Sequence, residues 1–340
     1  MPTPLRRRRV ALLLTLALVA LQACSTAATV PSATTAPPSP SSAPSPTPTT
    51  TPVAAFPLTL TDDEGTTVEL ASEPRRIVSL TPATTEVLFA LGAGERVIAT
   101  TDFDDYPPEA VALPDVASYT AVDVEKIVGL EADLVVAGGN LFNDPAAIAR
   151  LRDLGVPVLV VYARDVAGVL ADIELVGAAA GRPAEAKDLS ASMRAGFDQV
   201  SAAVAGLPRP RVFYELDATS DIYTAAKDSF VEEMITLAGG EAITTGSATD
   251  FAISIEQLIS ADPEVILLGD AAYGVTPEAV AARPGWNVMT AVRDGQIRGV
   301  NDIVITRPGP RLVDGLRELA LAIHPDAALP SPAPAASVAP

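Results

Sequence analysis

The sequence predicts an α/β protein made of two similar lobes bridged by one long rigid helix. Three observations carry this expectation. Short β-rich runs alternate with helical stretches, one part of the chain repeats another, and residues 184–207 between the two series read as one helix.

The first series opens with a hairpin signal. Residues 57–60 and 67–70 flank Asp62-Asp63-Glu64-Gly65, a turn-forming string. Residues 76–80, 96–100, 133–137 and 158–162 read as strands, the later ones as continuous apolar runs. Between them, residues 84–91, 124–130 and 146–154 read as helices, the first closed by Gly92 and the last by Gly155. Alternation of this kind favours a parallel sheet covered on both faces. A second series follows Pro208-Arg209-Pro210, with strands at 212–216 and 265–268 and helices at 229–237 and 255–260. Residues 184–207 contain mostly good helix formers, with Gly196 in the middle and Gly206 near the end, and would span about 36 Å as a helix. The folded part, residues 56–324, is long enough for two lobes, each with its own core.

The series are partial copies. Residues 122–138 read VDVEKIVGLEADLVVAG and residues 253–269 read ISIEQLISADPEVILLG. Apolar positions match throughout, Glu125 falls on Glu256, Asp133 on Glu264, and Gly138 on Gly269. Residues 91–95 likewise fall on 237–241. A duplication implies two lobes of similar architecture. Ligands of open α/β sheets bind at the carboxyl ends of the strands, so the cleft between the lobes is the default site.

Both ends of the chain differ in composition. Arg6 to Arg9 precede an apolar run at 10–21 that ends in Leu21-Gln22-Ala23-Cys24, the pattern of an export signal at residues 1–23. The run is too short to span a bilayer, which needs about 20 residues. Cys24 is the one cysteine of the chain, so disulfides play no part. Residues 25–54 are Ser, Thr, Pro and Ala-rich without a charge, as expected of an unfolded tether across 24–55. Residues 325–340 share that composition and are expected to fray. The full chain holds 23 basic and 42 acidic side chains, and removal of 1–23 with its four arginines leaves a net charge of −23. Such acidity excludes nucleic acid as a partner class.

Several separated motifs resemble one family. Arg76-Ile77-Val78-Ser79-Leu80-Thr81-Pro82 and Thr85-Glu86-Val87-Leu88-Phe89-Ala90-Leu91-Gly92 look like the opening of the iron-chelate/cobalamin substrate-binding proteins of ABC importers. Asp105-Tyr106-Pro107-Pro108, Glu125-Lys126-Ile127-Val128, Arg283-Pro284-Gly285-Trp286 and Arg307-Pro308-Gly309-Pro310-Arg311 follow in the family's order, so the resemblance covers residues 76–324. It implies the class III periplasmic-binding-protein architecture: an N-terminal lobe at 56–183, a connecting helix at 184–207 and a C-terminal lobe at 208–324. It also implies a permease and ATPase as partners, a metal-chelate ligand rather than a catalytic cofactor, and a monomer. The ending at Cys24 resembles a lipobox, which implies lipidation of Cys24, export and a lipid anchor on the outer face of the membrane. Residues 104–108 resemble the cobalamin binders most, and Tyr119 stands where those proteins often carry an aromatic. Ferric siderophores and haem remain alternative ligands, and a scavenging lipoprotein without a transporter is a further alternative.

Candidate site residues follow. Tyr106, Tyr119, Phe142, Tyr223, Phe251 and Tyr273 are expected at strand–helix junctions, where aromatics offer rigid area to a macrocycle or catechol rings. Arg307 is expected to contact an anionic ligand, and Arg311 to pair with a surface carboxylate. Trp286 is expected to pack inward, and Asp104, Asp105 and Glu109 to form a solvated loop. Asp123 and Ser254 read as N-caps, which puts Glu125 and Glu256 in first helical turns. The resemblance implies that these two glutamates dock on arginines of the permease. His324, the one histidine, ends the last helix, so neither a histidine-rich metal site nor a Ser-His-Asp triad is expected and an exported enzyme is disfavoured.

Cys24→Ala is expected to release the protein from the membrane fraction and leave ligand affinity unchanged. Fractionation of cells carrying the variant checks this, and a variant still in the membrane pellet would overturn the lipidation reading.

Overall fold

The structure, a computed structural model, describes residues 55–139 and 142–331. The expectations for the signal, for Cys24, for nearly all of the tether and for 332–340 lie outside the described residues. Element order in the first half is β1 (Leu58–Thr61), β2 (Thr67–Leu70), β3 (Ile77–Ser79), α1 (Pro82–Ala90), β4 (Val97–Thr101), α2 (Pro108–Val111), β5 (Asp115–Ser118), β6 (Ala121–Val122), α3 (Val124–Gly129), β7 (Leu134–Gly138), α4 (Pro145–Asp153), β8 (Val158–Val161) and α5 (Val166–Ala179). After α6 (Pro183–Val204) come β9 (Arg211–Glu215), β10 (Ile222–Tyr223), α7 (Phe230–Leu237), β11 (Glu241–Ala242), β12 (Ala252–Ile253), α8 (Ile255–Ala261), β13 (Val265–Leu268), α9 (Pro277–Ala281), α10 (Thr290–Arg293), β14 (Ile297–Gly299), α11 (Asp302–Thr306) and α12 (Leu312–Ile323).

The N-terminal lobe is a six-stranded sheet in the order β6-β5-β4-β3-β7-β8, parallel except for the β5–β6 pair. The C-terminal lobe is a four-stranded parallel sheet in the order β11-β9-β13-β14. In both, the chain starts at an inner strand, adds strands on one side and then crosses to the other. Residues of β3, β7 and β8 are buried on both faces, which explains their continuous apolar sequence.

The duplication survives in detail. β6-α3-β7 corresponds to β12-α8-β13. Asp133 accepts the backbone N–H groups of Arg75 and Arg76 at 2.8 Å each, and Glu264 accepts that of Arg211 at 3.0 Å. Each acid thereby clamps the entry to the first parallel strand of its lobe. Arg76 Nε donates to the Leu130 carbonyl, and Arg211 Nε to those of Ala261 and Asp262, closing the ends of the two equivalent helices. Glu131 and Asp262, aligned in the repeat, both adopt left-handed backbone with φ of 51° and 47°.

The connecting helix α6 has 22 residues and stops at Val204, short of the expected 207, with Gly206 and Pro208 following. Its buried stripe, Ala186, Ser190, Met193, Phe197, Val200 and Val204, keeps helical spacing. Gly196 is required by close packing: a Cβ there would lie 2.6 Å from Val313 of α12. The sequence did not single out α5, which packs along α6.

The expectation of a separate core for each lobe is corrected. One apolar cluster joins Ile77, Leu134, Val136 and Leu159 of the first sheet, through α5, α6, α7 and α12, to Val212, Tyr214, Val265 and Leu267 of the second. The reason is that these four helices pack on one another between the sheets, so their apolar faces merge. Glu233 of α7 also accepts the Val166 N–H at the start of α5, at 2.8 Å. Each sheet keeps a smaller cluster on its other face, one around Val78, Val135 and Ile127, one around Phe213, Ile266 and Trp286. The tail differs from expectation too: Ala327 and Leu329 pack against the shared core instead of fraying.

The β1–β2 hairpin is pinned to the first lobe by acids. Asp62 pairs with Arg152 at 2.8 Å, and Asp63 accepts the Tyr162 N–H at 2.5 Å. Burial, then the charge of Asp63 and a hydrogen bond to it, push the Asp172 carboxyl up to about 8. A raised carboxyl means that the folded state binds more protons than the unfolded chain between pH 4 and 8. Stability therefore falls as pH rises through that window. Asp172→Asn is expected to raise the melting temperature at pH 8, with the gain shrinking towards pH 4. Thermal unfolding across that range checks it, and a pH-independent difference would overturn it.

Candidate functional site

Loops that leave the carboxyl ends of both parallel sheets carry the candidate residues. On the first lobe, Tyr106 follows β4, Tyr119 follows β5 and Phe142 follows β7. Asn143 fixes the last of these loops: its Oδ1 accepts the Gly138 N–H at 2.8 Å and its amide donates to the Leu80 carbonyl at 3.0 Å. Gly138 allows the loop to close, since a Cβ there would lie 2.8 Å from Thr81 Cγ2 and 2.9 Å from Phe142 Cβ. A pocket of about 210 Å³ opens between Tyr119 and Phe142, floored by Ala121, Val122 and Asn143. At the start of α1, the buried hydroxyls of Ser79, Thr81, Thr84 and Thr85 satisfy one another, and Thr81 caps the helix.

On the second lobe, Tyr223 ends β10, Phe251 precedes β12, Tyr273 lies in the helical turn after β13, and Arg307 follows α11. Tyr119 and Tyr273 are 87% and 88% exposed, and Tyr106, Phe142 and Phe251 are also exposed. Tyr223 is half-buried in the β10–β12 ladder, where it pairs with Ala252. Trp286 packs inward as expected, edge-on to Phe213 with ring centroids 6.1 Å apart.

The two lobes meet at a charged cluster that the sequence did not reveal. Glu86 of α1 is 3% exposed. It accepts from Arg307 Nη1 at 2.8 Å, from Arg311 Nε at 2.9 Å and from Arg311 Nη2 at 2.6 Å. Arg307 Nη1 also donates to Asp105 at 2.6 Å, and the Arg311 guanidinium lies 4.4 Å over the Tyr106 ring. The hydrogen bonds to Glu86 hold Arg311 above its ordinary value. Arg311 thus pairs with a buried carboxylate and not with the surface one expected. Asp104 also departs from the solvated reading. It is buried, its Oδ2 accepts the Thr101 N–H and hydroxyl, and its Oδ1 has no partner among the described residues. It acts as the staple of the loop that carries Asp105 and Tyr106. Glu86 was hidden because its partners lie 221 and 225 residues away. The one local signal is an acid flanked by Thr85 and Val87 in a helix whose neighbours are buried.

A second buried acid, Glu215 at the end of β9, is held bidentately by Arg283 at 2.5 and 2.8 Å. Arg283 stacks 4.6 Å over Trp286, which accounts for the Arg-Pro-Gly-Trp string. Beside it, burial and then the Glu215 charge push Asp270 up to about 6. Tyr214 donates to Asp302 at 2.8 Å, and burial raises the phenol.

Glu125 and Glu256 are exposed in the first turns of α3 and α8, and neither forms an ion pair among the described residues. Asp123 and Ser254 cap α3 and α8 as expected, and Ser254 forms a full capping box with Gln257. Glu125 rims a largely apolar groove of about 460 Å³ lined by Val128, Arg150 and Leu154.

The family model described as periplasmic binding protein matches residues 77–303. The chain belongs to that family. An uncharacterised ABC transporter substrate-binding lipoprotein of Bacillus subtilis, YvrC, is 34% identical over 276 residues, which cover 80% of this chain and 87% of that one. A cobalamin-binding protein of Halobacterium salinarum is 32% identical over 284 residues, covering 79% and 75%. Among solved structures, the periplasmic haem-binding protein RhuT of Roseiflexus sp. RS-1 superposes with a TM-score of 0.65 at 28% identity, over 74% of this chain and 98% of that one. The family is one of extracytoplasmic binding proteins that serve ABC transporters, and its two-lobed α/β architecture is the one found here.

Glu86→Ala is expected to cost about 3–5 kcal/mol, since it leaves the part-buried Arg311 without a carboxylate and Arg307 with only the half-exposed Asp105. Replacing Glu86, Arg307 and Arg311 together by Leu, Met and Met should recover most of that loss. Denaturant unfolding of both variants checks it, and equal stabilities would overturn the assignment.

Proposed function

We propose that the protein captures cobalamin or a related corrinoid in the cleft and delivers it to the permease and ATPase of an ABC importer. The observation that carries this reading is the set of exposed aromatics, Tyr106, Tyr119, Phe142, Phe251 and Tyr273, all on loops at the carboxyl ends of the two sheets. Large exposed rings gathered from two lobes suit a broad, mostly apolar macrocycle, and Tyr223 adds a half-buried one. Arg307 stands at the same cleft. Haem is the second reading, favoured by the phenols of Tyr119 and Tyr273, whose exposure leaves them free to approach an iron. A ferric siderophore is the third. Spectral titration with cyanocobalamin, haemin and a ferric siderophore panel tests the choice, and a protein that saturates with haemin and ignores cyanocobalamin would overturn the corrinoid reading.

Glu125 and Glu256 are the permease contacts in this reading. They occupy equivalent places in the two copies of the repeat, so they offer one carboxylate per lobe to paired arginines. Lipidation of Cys24 would hold the protein at the outer face of the membrane, with residues 25–54 as the tether. It works as a monomer, since each copy carries both lobes.

Combining Glu125→Ala with Glu256→Ala is expected to leave ligand affinity within about threefold and to cripple uptake, because a rim charge acts on orientation at a partner. If the two acids serve only as helix-end charges, the loss is at most about 1 kcal/mol of stability. Normal uptake at equal protein level would overturn the docking role.

A further inference from the structure

We infer that Glu86 and Asp105 are internal counter-ions that withhold Arg307 and Arg311 from ligand anions, so that the cleft selects a chelate without net negative charge. This rests on the reading of the cleft as the ligand site and deepens it. Two arginines at a cleft ordinarily attract carboxylates, catecholates or phosphates. Here their two positive charges face two negative ones. Glu86 is buried and takes three hydrogen bonds from the pair, two of them from Arg311. The face of the Arg311 guanidinium is covered by the Tyr106 ring. Arg307 spends the same Nη1 on both Glu86 and Asp105. Arg307 keeps donors that make no hydrogen bond among the described residues, but the cluster as a whole is neutral and gives an anionic ligand no net charge to gain.

The two counter-ions differ in how firmly they are held. The Glu86 side chain is 2% exposed and cannot leave without stranding a charge. The Asp105 side chain is 47% exposed and makes one ion pair, so it is the gate of the cluster on the solvent side. Its removal leaves two arginines sharing the one Glu86 carboxylate, so the cluster gains one net positive charge beside Arg307, which is only 16% exposed and weakly screened. A hydrogen bond to a charged group in that setting is worth about tenfold in affinity or more.

The test is Asp105→Asn against Asp102→Asn. Asp102 is an exposed acid of the same loop that pairs with no arginine among the described residues, so its variant changes net charge alone. Affinities for haemin, which bears two propionates, for a ferric tris-catecholate and for cyanocobalamin are read by fluorescence quenching at low and high salt. Asp105→Asn is expected to raise the affinity for both anionic chelates, relative to cyanocobalamin, by about tenfold at low salt, and by less at high salt. Asp102→Asn is expected to leave that ratio alone. An unchanged ratio in Asp105→Asn, or equal changes in the two variants, overturns the inference. Failure of the corrinoid reading shows separately, as wild-type protein that does not bind cyanocobalamin; the haemin and tris-catecholate affinities of each variant are then compared directly with those of the wild type, and an unchanged affinity in Asp105→Asn overturns the inference.

Discussion

The apolar layer of α5, α6, α7 and α12 is the interaction on which the rest of the structure depends. It buries one face of each sheet at once, so neither lobe completes its core without the other. The cleft is a consequence. The sheets are fixed from behind, and the loops at their carboxyl ends carry the exposed aromatics. A shared core also limits what closure can mean. Hinge motion of a large amplitude would have to open this packed interior.

Charge closes the interface where the apolar layer ends. Glu86 sits at the cleft side of the shared core and is reached by Arg307 and Arg311 from the other lobe. An ion cluster in this place is a weak source of net stability, because desolvation offsets much of the attraction. Its value is geometric. The three hydrogen bonds to one carboxylate set where the segment between α11 and α12 meets α1, and through Asp105 and Tyr106 they also tie down the loop after β4.

Much of this was legible in the sequence, and the reasons are local. Strands such as 133–137 and 265–268 announce themselves as short apolar runs because both faces of each sheet are covered. The capping box at Ser254 and Gln257 is written within four residues. The repeat was visible because Asp133 and Glu264 do the same work at the start of each sheet, so both positions keep an acid. What stayed hidden depends on contacts distant in sequence. Glu86, Glu215 and Asp104 look like ordinary surface acids until their partners arrive from other elements. The separate cores were a natural expectation from a duplicated chain, and they failed because amphipathic stripes do not state which helix they will meet. Helix α5, almost entirely apolar, carries little periodicity to read.

The merged interior has a further consequence for descent. The two halves still resemble each other in the clamp acids, the left-handed residues after α3 and α8, and the aligned glycines Gly138, which ends β7, and Gly269, which follows β13. Yet they are no longer interchangeable parts. A half cut out at residue 183 would carry an uncovered hydrophobic face, and a half borrowed from a relative would bring the wrong knobs to the holes of α6 and α12. An exchange confined to the loops at the carboxyl ends of the sheets would leave that seam undisturbed.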